Sequence, residues 1–194
     1  VQWVNRPNLD FRGFCGEIAS GVVRPGDRVR IARSGRDSRV KDVWLADQRL
    51  ELGVAGQSVT VTLEDEIDCS RGDIIAAADD PPEVADQFET TLVWMHEDHL
   101  LPGRSYLLKI GARTVTATVT EIKHRVDVNS LEHLAAKELE LNAIAVCNVS
   151  TDQPLAFDAY ETNPGTGGFI LIDRMSNATV GAGMIHFALR RAHN

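Results

Sequence analysis

Residues 16–35 read GEIASGVVRPGDRVRIARSG, two apolar runs hinged on Arg24-Pro25-Gly26-Asp27. Pro25 presets φ for the second position of a tight turn, and Gly26 is free to take φ > 0 at the third. Asp27 brings a side chain able to accept from neighbouring backbone amides as the next strand begins. Beyond the turn, Val29 and Ile31 alternate with Arg28 and Arg30. A period of two marks β structure, so the stretch is a strand–turn–strand unit.

The same punctuation recurs along the chain. Up to residue 80, strand candidates at 11–20, 28–34, 39–46, 57–63 and 73–77 are separated by RPGD, RSGRDS, ADQRLELGVAGQ and EDEIDCSRGD, and VQWVN at the start adds strand-like sequence. Strands at this spacing predict a closed barrel or sandwich rather than a parallel α/β sheet. DDPPEVAD at 79–86 combines acidic residues with two prolines and reads as a linker. Further candidates follow at 88–95, 105–110, 114–122, 143–149, 168–173 and 180–188. The clearest alternation is TVTATVT at 114–120, where Thr and Val suit a half-buried pleat. One segment, SLEHLAAKELELN at 130–142, has a helical pattern with Ser130 placed to cap it. No internal repeat of fixed period is present. The expected fold is all-β: two consecutive small β-barrels, residues 1–82 and 83–194.

Composition narrows the function. With 43% apolar residues among 194, the chain can bury a core, and its formal charge of −8 argues against a nucleic-acid backbone as the main partner. The charge divides as −3 and −5 between the two halves, and the arginines are scattered rather than clustered. No apolar run reaches the roughly 18 residues of a membrane span, and no signal-peptide pattern opens the chain. Cys15, Cys69 and Cys147 are odd in number and form no CxxC pair, which points to a reducing cytoplasm. Val1 and the closing ALRRAHN suggest a piece excised from a longer polypeptide.

No stretch reads as an active site. A phosphate-cradling loop needs a Gly-x4-Gly-Lys-Ser/Thr pattern between a strand and a helix. NPGTGGF at 163–169 and VGAGM at 180–184 lack the lysine, so Gly165, Gly167 and Gly168 are expected to shape a turn. Gly181 and Gly183 are expected to permit close packing or a bulge. His96 and His99 flank Glu97 and Asp98, but zinc needs three or four ligands and the cysteines stand at no ligand spacing. EDEID at 64–68 lacks the glycine-centred spacing of a calcium loop. Cys15 and Cys147 lie in apolar strand patterns, as packing residues do. The sequence assigns no catalytic, cofactor-binding or metal-binding residue.

Longer phrases carry a resemblance. FRGFCGEIASGVVRPGDRVRI and GFILIDRMSNATVGAGMI are similar to the second and third domains, both barrels, of elongation-factor-Tu-like GTPases. VQWVNRPNLDFRGFCG, VTLEDEIDCSRGDII, LLPGRSYLLKIGARTVTATV, VDVNSLEHLAAKELELNAIAVCNV and LAFDAYETNPGTGGFILIDRMSNATVGAGMI resemble the large, GTP-binding subunit of bacterial sulfate adenylyltransferase. RRAHN at 190–194 resembles the junction to a fused adenylylsulfate kinase domain.

The resemblance implies a sulfate-assimilating parent enzyme that makes adenylyl sulfate and pyrophosphate from ATP and sulfate, coupled to GTP hydrolysis. It implies a catalytic small subunit as partner and a GTPase domain upstream of Val1 that holds GTP and magnesium. This chain would be the two barrels that follow. Their expected role is docking to the small subunit and relaying the GTP state through exposed loops, where binding residues often sit. The candidate contacts are Arg36, Glu64, Asp65, Glu66, Arg71, Glu97, Asp98, Arg174 and Asn177. A translation-factor-like RNA-binding module and a freestanding enzyme with a barrel-mouth site are the rival classes. The first sits poorly with the acidic charge and the second with the missing acid, base and nucleophile.

Overall fold

The computed structural model describes residues 1–127, 129–130 and 133–190, with His133 described in its backbone alone. The chain divides into two compact units, Val1–Glu83 and Val84–Asn194.

In the first unit, β1 (Trp3–Asn8), β2 (Phe11–Glu17), β8 (Ser58–Leu63), β5 (Arg36–Leu45), β4 (Arg28–Ile31) and β9 (Ile75–Ala77) pair in that spatial order. The short β6 (Gln48–Leu50) adds to β5, while β3 (Val22–Val23) and β7 (Gly53–Val54) form a separate ribbon. Val1 ties the two ends of the path together: Gly72 N–H donates to its carbonyl (2.8 Å), and its own nitrogen donates to Asp73 O (2.7 Å), just ahead of β9. Inside lie Val29, Val40, Val43, Val59 and Val61, with a second cluster of Phe14, Ile31, Ile67 and Cys69. Each such aliphatic side chain, fully buried, is worth about 1.5–3 kcal/mol.

The Pro25-Gly26 turn forms as its residues dictate. Gly26 sits at φ +92°, and Arg24 N–H donates to Asp27 Oδ2 at 2.8 Å. Its two flanking strands do not pair with each other, because β3 joins β7 while β4 joins β5 and β9. The turn therefore hands the chain from the ribbon to the main sheet.

In the second unit, β10 (Glu83–Trp94), β11 (Ser105–Ile110), β12 (Arg113–Val126), β14 (Ile144–Phe157), β15 (Gly168–Ile172) and β16 (Thr179–Ala188) close a ring. The order is β11-β15-β16-β10-β14-β12, and β12 pairs back to β11 from Ser105↔Thr118 to Ile110↔Arg113. Alternation works as the pattern requires: Val115, Ala117 and Val119 point into the core while the threonines between them stay less buried. Phe88 packs edge-on against Phe157 (centroids 5.0 Å apart), and Trp94 against Tyr106 (5.6 Å). Gly183 lies opposite Phe169 on β15, whose ring covers it. Gly167 is equally hemmed in, since a Cβ there would stand 2.5 Å from Asp158 O.

Four expectations need correction. The linker reading of 79–86 overruns the start of β10 at Glu83. RSGRDS is not a free loop: Gly35 (φ +70°) turns the chain and β5 begins at Arg36, where Asp37 already pairs with Arg30. ADQRLELGVAGQ contains β6 and β7. The helix expected over 130–142 does not form across its described part. His133–Leu134 is a short strand, β13, on β12, and Leu139 bridges Leu100; Leu131 and Glu132 lie outside the described residues. The ladder to β12 and the complete burial of Leu139 against the barrel outweigh a helical propensity spread over one short run. A single turn of helix, α1 (Pro164–Gly167), occurs instead in the glycine-rich stretch, with Pro at its start. RRAHN, apart from Arg190, also lies outside the described residues.

Candidate functional site

On the first unit, Arg36, Glu64, Asp65, Glu66 and Arg71 come from segments that are tied together. Ser38, two residues beyond Arg36 and so on the same side of β5, donates its hydroxyl to Asp65 Oδ2 (2.8 Å). Glu64 N–H donates to Arg39 O (2.9 Å). Beyond this point the chain alternates, burying Ile67 and Cys69 and exposing Glu66, Asp68 and Ser70. Arg71 is drawn to Gln2 O at 2.8 Å. Beneath the segment, the buried carboxylate of Asp73 takes two bonds from Arg33 (2.7 and 3.1 Å) and one from Ser70 N–H (2.9 Å). Arg36, Glu64 and Glu66 make no ion pair among the described residues and extend from this anchored base.

On the second unit, Glu97, Asp98, Arg174 and Asn177 share one end of the barrel. Trp94 at the end of β10 donates its indole N–H to Asp98 O (2.8 Å), and Asp98 N–H donates to His96 Nδ1 (3.0 Å). His99 meets Glu138 at 3.2 Å. The turn Leu101–Arg104 follows, with Gly103 at φ +91°. Arg104 lies over the Tyr106 ring and reaches Asp173 Oδ2 at 3.1 Å. Asp173 in turn organises the β15–β16 hairpin: its Oδ1 accepts from Met175 N–H (2.8 Å) and Ser176 N–H (3.0 Å). These amide bonds, Ser176 foremost, hold the Asp173 carboxyl below the usual carboxylate range. Asn177 takes φ +58°, a conformation asparagine tolerates better than most residues. Burial raises the pKa of Tyr106, whose hydroxyl has no hydrogen-bond partner among the described residues.

A third cluster gave no sign in the sequence. Lys123 on β12 donates to Glu89 Oε2 on β10 (2.6 Å); Glu89 Oε1 lies 3.4 Å from His186 Nδ1 on β16, and His186 Nε2 lies 2.7 Å from Thr91 Oγ1. Sequence separations of 34 to 97 residues hide this grouping until the barrel closes. It is a hydroxyl, an imidazole and a carboxylate in line, but on strands paired along both edges, whose amides are committed to the ladder. The array braces β10, β12 and β16 across the sheet.

Two of the three thiols are buried. Burial pushes Cys69 up to about 11, with the nearby Asp73 charge adding to the effect, and burial alone pushes Cys147 up to about 12. Neither thiol is poised to react. Among the described residues, no three metal-ligating side chains gather, and no helix is long and apolar enough to cross a membrane. The glycine runs do not fit a nucleotide phosphate: Gly167 is closed off by backbone and Gly183 by the Phe169 ring.

The architecture defines an all-β protein built from barrels of the translation-factor GTPase type. It superposes on Sup35 complexed with GDP at a TM-score of 0.84, covering 97% of this chain and 47% of that one, at 15% identity. The chain belongs to the GTP-eEF1A C-terminal domain-like family, which matches residues 87–186. Over all 194 residues it is 54% identical to the bifunctional enzyme NodQ of Rhizobium sp. (strain N33) and 56% identical to the bifunctional enzyme CysN/CysC of Xylella fastidiosa. Over 185 residues it is 52% identical to sulfate adenylyltransferase subunit 1 of Shewanella woodyi. It covers 30%, 31% and 39% of those relatives, about a third of their length.

Proposed function

We propose that this chain is the barrel region of the GTPase subunit of a sulfate adenylyltransferase. That enzyme would make adenylyl sulfate and pyrophosphate from ATP and sulfate, with GTP hydrolysis, in the cytoplasm. The observation that carries the reading is identity of 52–56% across 95–100% of the chain to relatives named as sulfate adenylyltransferase subunit 1 and CysN/CysC. A relative called subunit 1 implies a second subunit, and the bifunctional relatives imply a second activity on the same polypeptide, in keeping with a fused adenylylsulfate kinase.

In this reading the barrels perform no bond chemistry. They dock the GTPase subunit onto the catalytic small subunit and relay the nucleotide state. Switch loops ordered by a γ-phosphate provide the local event, and rigid barrels displaced by them carry it to a distant surface. Anchored loops on each unit supply contact side chains: Arg36, Glu64, Asp65, Glu66 and Arg71 on the first, Glu97, Asp98, Arg174 and Asn177 on the second.

The test is calorimetric titration of the chain into the small catalytic subunit at physiological salt. Saturable one-to-one binding is expected. Absence of binding, while the intact large subunit binds in parallel, assigns docking to the GTPase domain and ends the docking role for the barrels.

A further inference from the structure

We infer that the β15–β16 hairpin tip, Arg174–Met175, is the anchor by which this protein engages the small subunit, entering an apolar pocket with a carboxylate at its mouth. The inference rests on the docking reading above and names the residues and the partner chemistry it requires.

Met175 is 90% exposed, the most exposed large apolar side chain among the described residues. Exposure of that degree usually belongs to a loose loop; here the loop is tightly ordered. Asp173 Oδ1 takes the amides of Met175 and Ser176, and Asn177 N–H closes on Asp173 O at 2.9 Å. Asp173 N–H returns to Ala178 O at 2.9 Å, and Arg104 clamps the same carboxylate from the neighbouring turn. An apolar side chain held out by a pre-ordered turn loses little backbone freedom on binding, and that cost is a large part of what weakens protein association. Methionine adapts to irregular pockets, and both methionine and arginine are enriched at the centres of interfaces.

The charges fix the pocket's character. Asp173 is already engaged by Arg104, whereas Arg174 has no hydrogen bond or ion pair among the described residues. The tip therefore presents one free cation beside one bare thioether, on a half of the chain whose net charge is −5. Its complement is a concave apolar site edged by Asp or Glu. Leu101, 52% exposed, lies in the turn that carries Arg104.

The experiment titrates the intact GTPase subunit into the small subunit, comparing wild type with Met175→Ala, Arg174→Glu and the exposed control Lys109→Glu. Equal melting temperatures and sedimentation as a single species establish that all four are folded. Met175→Ala and Arg174→Glu are each expected to weaken binding about tenfold or more, with Lys109→Glu within twofold of wild type. Wild-type binding that both tip variants retain within twofold overturns the anchor and leaves the docking reading standing. A wild type that does not bind overturns the docking reading and the anchor with it. Loss of self-association, rather than of small-subunit binding, in Met175→Ala assigns the tip to a contact between copies and overturns the proposal.

Discussion

Gly183 shows how much a single missing side chain decides. Its place opposite Phe169 lets the ring lie across the β15–β16 ladder, and a methyl group there would drive into the ring. Gly183→Ala is therefore expected to destabilise the protein by about 1–3 kcal/mol in urea unfolding, with Phe169→Leu in the same chain recovering part of the loss. A single variant as stable as wild type would show that the ring is free to move aside. The sequence reading gave Gly181 and Gly183 to close packing or a bulge rather than to a phosphate loop, because the lysine was missing. It also foresaw Gly26, since a proline followed by glycine and aspartate leaves the chain few other conformations. It did not foresee Asp73. An aspartate in a polar stretch carries no mark that Arg33, 40 residues away, will fold over it.

At the scale of elements, cross-strand contacts govern. The Lys123–Glu89–His186 brace joins three strands, and the hydrogen bond from Lys123 is the main cause holding the Glu89 carboxyl below its usual range, helped by His186 against partial burial. A carboxyl that titrates lower when folded than when unfolded binds fewer protons in the native state. Its contribution is thus complete above the ordinary glutamate value of about 4.3 and is lost as pH falls through the lowered native value. Glu89→Gln should lower the melting temperature at pH 7 and make its decline between about pH 5 and 3 shallower than in wild type. Parallel acid limbs in the two proteins would remove the brace from the account. Strands were legible wherever alternation ran for six or more residues, as in 114–120, because burial on one face enforces period two. The two-residue strand β7 was not, since a strand so short has no period. SLEHLAAKELELN misled because its leucines satisfy helical spacing on paper; in the fold Leu139 is buried, while Leu134 and Leu141 face outward.

For the whole molecule, the second unit carries one contiguous core from Phe88 to Ile185 inside a closed ring. Its stability comes from contacts it owns, so residues 84–190 expressed alone should unfold in one cooperative transition with a urea slope suited to about 107 residues. A broad, non-cooperative melt would show that the ring depends on residues 1–83. The barrel class was readable from turn spacing. That the loops at 95–101 and 174–177 meet at one end was not readable, because a ring joins strands remote in the chain. Ring closure also governs how the protein comes apart. An open sheet can peel from its outermost strand inward, one rung at a time, like a zip with a free tab. The six-stranded ring has no such tab: any strand must break ladders on both sides before leaving. Rare excursions of this unit should therefore involve the entire circle at once, and a protease would find no loose outer strand of the ring from which to start.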